Sequence, residues 1–219
     1  MEHISKDLEH LNRGNHTAHQ SNIAPMPEEP EETREQQLET LRRSLGISSL
    51  EHTFENFKSV AGTGVALAAS RAMALDGYRP LLLIYGGVGN GKSFLLEALS
   101  IALYKKGIRC QVSVWSDIMR MFKRGLHPVD GSLPYDYLFE QFRRQERLII
   151  DDVGMGSSGS EWEWGELEDI INYRYREHLF TVLATNKDLD ELPERVESRF
   201  SDPEVGVIVQ NEGGDYRKR

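Results

Sequence analysis

The stretch GGVGNGKS, residues 86–93, carries the types and spacing of a phosphate-holding loop. The pattern G-x-x-x-x-G-K-[ST] falls on Gly86, Gly91, Lys92 and Ser93. In such a loop, the backbone N–H groups of Gly86, Gly87, Val88, Gly89, Asn90 and Gly91 surround phosphate oxygens. Lys92 reaches the β and γ oxygens, and the Ser93 hydroxyl ligates Mg²⁺. A helix starting at the lysine adds the positive end of its dipole.

A second piece is LIIDDVG, residues 148–154, an apolar run ending in two carboxylates. Asp151 is placed to hold Mg²⁺ through its water shell, and Asp152 to polarise an attacking water. Next is TVLATN, residues 181–186, where the Asn186 amide would orient the water or sense the γ-phosphate. Last is RVESRF, residues 195–200. Arg195 and Arg199 share one helix face four residues apart, distant from their own phosphate loop. They suit either an arginine finger reaching a neighbouring subunit's nucleotide or ordinary surface ion pairs. Asn186-Lys187-Asp188-Leu189 imitates a guanine-reading N-K-x-D, but Leu189 stands where the acid belongs, so adenine is expected.

These side chains need strands to carry them. Apolar runs at 81–85, 111–115, 147–151, 181–184 and 205–209 read as strands. Helical patterns fill 64–75, 92–105, 163–177 and 193–200, and Ser116 is expected to cap a helix running to Lys123. The alternation predicts an α/β P-loop fold, a parallel sheet sandwiched by helices, over residues 53–219.

Residues 1–52 read instead as a polar, acidic arm, with PMPEEPEETREQQ at 25–37, suited to tethering or partner docking. Leu38, Leu41 and Leu45 predict a short helix within it. His3, His10, His16 and His19 lack the spacing of a metal site. The single cysteine, Cys110, excludes a disulfide framework and fits a reducing compartment. Without a signal peptide or a long apolar run, a cytoplasmic chain with no membrane partner is expected.

A net charge of -9 argues against coating nucleic acid over the whole surface. Yet Lys105, Lys106, Arg109, Arg120, Lys123 and Arg124 lie close in sequence, interrupted only by Asp117, and are joined by Phe122, Tyr135, Tyr137 and Phe139. Cations beside aromatics suit single-stranded DNA, with base stacking by Phe122 and Tyr135; the alternative is that the aromatics are core. Trp162 and Trp164 follow a Gly/Ser run, residues 154–160, that reads as a mobile loop. They are expected to pack at a helix start, with partner anchoring as the alternative.

Taken in order with TFENF (53–57) and DYR (215–217), these motifs resemble those of AAA+ ATPases, and within them the DnaC/DnaI-type helicase loaders and the related IstB transposition ATPases. The resemblance implies ATP and Mg²⁺ as cofactors and a head-to-tail oligomer. It implies Asp152 at the catalytic acid position, Asn186 as sensor, Arg199 as the finger with Arg195 as the second box arginine, and an AAA+ core without the C-terminal helical lid domain. It also implies a replicative DNA helicase (DnaB-like) and single-stranded DNA as partners. Many relatives carry Glu where Asp152 stands, so slow, switch-like hydrolysis is expected. Rival readings are an ATPase assisting a transposase and a nucleotide-gated adaptor with little hydrolysis. A small-molecule kinase shares the loop but would need an acceptor pocket and lid arginines.

Overall fold

The computed structural model describes residues 33–75, 79–129, 131–155 and 160–218. The elements run α1 (Arg34–Ser44), α2 (Gly64–Met73), β1 (Leu81–Tyr85), α3 (Lys92–Lys105), β2 (Val112–Val114), α4 (Trp115–Gly125), α5 (Tyr135–Arg144), β3 (Arg147–Asp151), α6 (Glu161–Arg176), β4 (Phe180–Thr185), α7 (Glu194–Phe200) and β5 (Gly206–Gln210). The strands form one sheet, in the order β2-β3-β4-β1-β5, with every pairing parallel. β1 is flanked on both sides, so Leu81, Leu82, Leu83 and Ile84 are all fully buried, as an unbroken apolar run requires.

Strand order decides which helix covers which face. The chain crosses from β1 to the far edge at β2, then returns through β3 and β4. Right-handed crossovers therefore put α3 on one face and the later helices on the other. The side chains agree. Leu82 and Ile84 pack with Leu95, Leu96 and Leu99 of α3. Leu81 and Leu83 pack with Ile118 and Phe122 of α4, Leu167 and Ile170 of α6, and Val196 and Phe200 of α7.

Several boundaries differ from expectation. The second strand is only Val112–Val114, and α4 begins directly at Trp115. Ser116 is therefore inside the helix, and the capping position belongs to Val114, without a side-chain cap. Burial of Trp115 in the core draws the helix start forward. Helix α5 was not expected at all. Tyr135, Leu138, Phe139 and Phe142 recur at i, i+3, i+4 and i+7 and pack against the α4 layer, so the aromatics form a helix face.

The N-terminal boundary also moves. The compact unit starts at Arg34, not at Thr53. Leu45 and Ile47 are buried in the core, and the Val112 N–H donates to the Leu45 carbonyl at 2.9 Å, so the segment after α1 covers the start of edge strand β2. The arm histidines, most of the acidic run and most of the Gly/Ser run lie outside the described residues. Among the described residues, no helix is long and apolar enough to cross a membrane.

Candidate nucleotide site

The phosphate loop joins the end of β1 to the start of α3. Gly86, Gly89 and Gly91 all hold positive φ, at 133°, 73° and 94°. A side chain at Gly86 would meet the Asn211 carbonyl oxygen at 2.4 Å, and one at Gly91 would meet Phe57 at 2.9 Å. Glycine is required there by both conformation and space. The loop folds around Lys92, whose Nζ donates to the carbonyls of Gly86 (2.7 Å) and Gly87 (2.8 Å) and to Asn90 Oδ1 (3.0 Å). Burial pulls the Lys92 pKa down to about 8, against the opposing pull of Asp151 and Asp152.

The Asp-bearing strand delivers its carboxylates beside this lysine. Asp151 is 8% exposed, and burial pushes its pKa up to about 6 even though the Ser93 side chain hydrogen-bonds to it. Asp152 has φ 53°, a left-handed conformation that costs a non-glycine residue about 1–2 kcal/mol. Its N–H donates to Asp151 Oδ1, and its own Oδ1 accepts from Asn186 Nδ2, both at 2.9 Å. Behind them, the end of β4 grips Val153 twice. The Val153 N–H donates to the Ala184 carbonyl at 2.9 Å, and Thr185 Oγ1 donates to the Val153 carbonyl at 2.7 Å.

These groups open on a cleft of about 450 Å³. Val88, Gly89, Asn90, Gly91, Lys92, Ser93, Asp152 and Asn186 line it, together with Asn56, Phe57, Lys58, Phe94 and Tyr216. The loop, Asp152 and Asn186 thus share one cleft, with Asp151 hydrogen-bonded to Ser93. TFENF and DYR bring Asn56, Phe57 and Tyr216 to the same cleft, which their chemistry alone did not indicate. Sequence reasoning missed Asn211, which follows β5 and bonds to Asn90. No motif marks it; it lies 121 residues from its partner.

Arg195 and Arg199 are not among the lining residues of the cleft. Arg195 pairs with Glu168 at 3.5 Å. Arg199 Nε donates to Asn172 Oδ1 at 3.0 Å, and its guanidinium lies 4.8 Å from the Tyr175 ring centre. The guanine mimic is explained by local capping. Asp188 N–H donates to Glu191 Oε2 at 2.9 Å in a reciprocal capping box that starts the 3-10 turn Leu189–Glu191.

The expected strand-binding cluster does not hold together. Lys105 and Lys106 end α3 on one layer, and Lys106 Nζ donates to the Ala74 carbonyl at 2.5 Å. Arg120, Lys123 and Arg124 lie on α4, on the opposite layer. Phe122 is fully buried and cannot stack on a base. Tyr135 packs edge-on against Phe122 and donates its hydroxyl to Glu166 Oε2 at 2.6 Å, so it too is committed to the interior layer. Arg120 pairs with Asp117, and Lys123 with the buried Glu163, each at 2.7 Å. Trp162 and Trp164 are half-buried against the same layer, as packing residues.

Known proteins place this arrangement. Residues 49–210 match the family described as the bacterial DnaA ATPase domain. The chromosomal replication initiator protein DnaA of Citrifermentans bemidjiense is 32% identical over 167 residues, 72% of this chain and 34% of that protein. A solved structure of replication initiator DnaA bound to AMPPCP and single-stranded DNA superposes with a TM-score of 0.62 at 27% identity, over 76% of this chain and 51% of that one. The DnaC helicase loader shares the fold, with a TM-score of 0.61 at 22% identity over 74% of this chain and 98% of the loader chain. The chain spans about a third of the length of the curated relatives it matches, 34% for the Citrifermentans bemidjiense protein. The expected kinship with the loaders is thus corrected: the sequence matches lie with DnaA, and the DnaC loader shares the fold. The sheet order, the phosphate loop and the sequence match agree: the chain belongs to the bacterial DnaA ATPase domain family.

Proposed function

We propose that this protein binds ATP with Mg²⁺ in the cleft and uses slow hydrolysis as a switch during the initiation of DNA replication. The observation that carries this reading is the convergence of Lys92, Ser93, Asp152 and Asn186 on one cleft beside the phosphate loop, with Asp151 hydrogen-bonded to Ser93. The aromatic lining of the cleft, Phe57, Phe94 and Tyr216, suits a purine base.

Ser93 and Asp151 fit a magnesium ion: both offer oxygen to a hard cation, and they already share a hydrogen bond. When bound, the ion would neutralise charge on the phosphate oxygens. Asp152 accepts a proton from the attacking water, and Asn186 fixes the carboxylate that does so. Arg199 of one subunit stabilises the developing charge on its neighbour's nucleotide, in a head-to-tail assembly. Its place outside the lining of its own cleft favours that role. Exposed cations on α4, with Arg124 and Arg120 foremost, contact single-stranded DNA; the strand-bound complex of a DnaA relative supports this. Delivery of a replicative helicase rests on motif resemblance to the loaders.

The test is equilibrium binding of ATP with and without Mg²⁺, for wild type and Lys92→Ala. Magnesium-dependent binding that Lys92→Ala weakens at least about tenfold supports the reading. Binding indifferent to both magnesium and Lys92 would refute it.

A further inference from the structure

The phosphate loop is backed by the segment that follows β5. We infer that Asn211 is a positioning residue for the phosphate cradle, aiming its N–H groups from behind; this rests on the nucleotide reading of the cleft. Asn211 and Asn90 are both 1% exposed and bond reciprocally. Asn90 Nδ2 donates to the Asn211 carbonyl at 2.5 Å, and Asn211 Nδ2 donates to the Asn90 carbonyl at 2.9 Å. The Asn211 N–H also donates to the Tyr85 carbonyl at 2.8 Å. One residue thereby pins the loop at its entrance and at Asn90.

The consequence follows from peptide geometry. In a trans peptide, the C=O and the next N–H point in opposite directions. With the Asn90 carbonyl turned back onto Asn211, the Gly91 N–H is turned away from it, toward the phosphate space that Lys92 marks. The same segment repeats the device one residue earlier. The Tyr216 N–H donates to the Gly89 carbonyl at 2.9 Å, which turns the Asn90 N–H the same way. Two consecutive cradle donors are therefore aimed by residues 211–216. The segment is itself wedged: Glu212 N–H donates to the Gly62 carbonyl at 3.1 Å, and a Cβ on Gly213 would lie 2.4 Å from Thr63.

The same amide also reaches the lysine. With its NH₂ end held by the Asn211 carbonyl, the Asn90 side chain presents Oδ1 to Lys92 Nζ at 3.0 Å. Burying this pair has a cost, because Asn211 Oδ1 has no hydrogen-bond partner among the described residues. An apolar residue would avoid that cost, so what the position needs is the donor end of the amide.

The test uses the full chain, with ATP and inorganic tripolyphosphate each competing against a fluorescent ADP analogue. Tripolyphosphate isolates the cradle from the base end of the cleft. Asn211→Leu, similar in size but without a donor, should weaken both ligands by about the same factor, near tenfold. Asn211→Gln, which keeps the amide, should recover part of the loss. Unchanged tripolyphosphate affinity in folded Asn211→Leu overturns the inference, whatever happens to its melting temperature. So does a loss confined to ATP, which would put the effect on the base side. If Asn211→Leu does not fold, Asn211→Ala carries the same comparison; if neither folds, the residue is structural and the inference fails. If the wild type binds neither ligand, the nucleotide reading fails first and takes this inference with it.

Discussion

Asn186 Nδ2 lies 2.9 Å from Asp152 Oδ1, a hydrogen bond that joins the ends of neighbouring strands β4 and β3 inside the cleft. It fixes the carboxylate of Asp152, whose backbone is left-handed. Asn186→Ala should therefore lower the hydrolysis rate by about 10- to 100-fold while ATP affinity changes by less than about threefold. Single-turnover hydrolysis beside equilibrium binding measures the two separately. Equal losses in both would mean that Asn186 only supports the binding site.

Arg174 is a fully buried cation with no carboxylate among its hydrogen-bond partners. Its guanidinium donates to Thr181 Oγ1 (2.8 Å) and to the carbonyls of Gln145 (2.7 Å), Phe180 (2.6 Å), Phe142 and Arg143 (both 3.2 Å). It thus caps the C-terminal end of α5 and ties it to the start of β4. Burial draws its pKa down to about 10, so it stays charged at neutral pH. Arg174→Ala should cost about 3 kcal/mol or more in urea unfolding, and Arg174→Lys should not restore it, because an ammonium lacks the fork.

Asp151 gives the nucleotide-free protein a pH signature. Its carboxyl titrates near 6 when folded and near 3.8 when unfolded, so the folded state holds the extra proton between those values. Stability from this group is complete below about 3.8 and is lost as pH rises through about 6, on the order of 2–3 kcal/mol. Unfolding in EDTA across pH 4–7 should show this fall, and Asp151→Asn should flatten it.

The two halves of the basic stretch should separate in DNA binding. Arg120→Glu with Arg124→Glu, on α4, should weaken single-strand binding about tenfold and reduce its salt slope by about 1–2. Lys105→Glu with Lys106→Glu, on the other layer, should leave the slope unchanged. Fluorescence anisotropy over a salt series reads both.

Much of the architecture was legible because the signals were local. The phosphate loop carries its chemistry in eight contiguous residues, and 81–85 and 147–151 are apolar runs that coincide with β1 and β3. Helix α5 was hidden because Tyr135 and Phe139 suit base stacking as well as a helix face; only the α4 layer beneath them decides. The basic cluster looked contiguous because nearness in sequence does not survive a crossover that changes faces of the sheet. Asn211 left no sign because its meaning lies in a partner on another strand's exit. The arm boundary slipped because Leu45 and Ile47 are few apolar residues in a polar context, yet both reach the core.

An ATP switch completed between subunits would show itself in the rate of hydrolysis against protein concentration. The measurement compares wild type with Arg199→Ala, with and without single-stranded DNA. The rate per subunit should rise with concentration and respond to DNA, and Arg199→Ala should lower it about 10³-fold while ATP still binds. A rate per subunit that is flat with concentration, indifferent to DNA and unaffected by Arg199→Ala would contradict it.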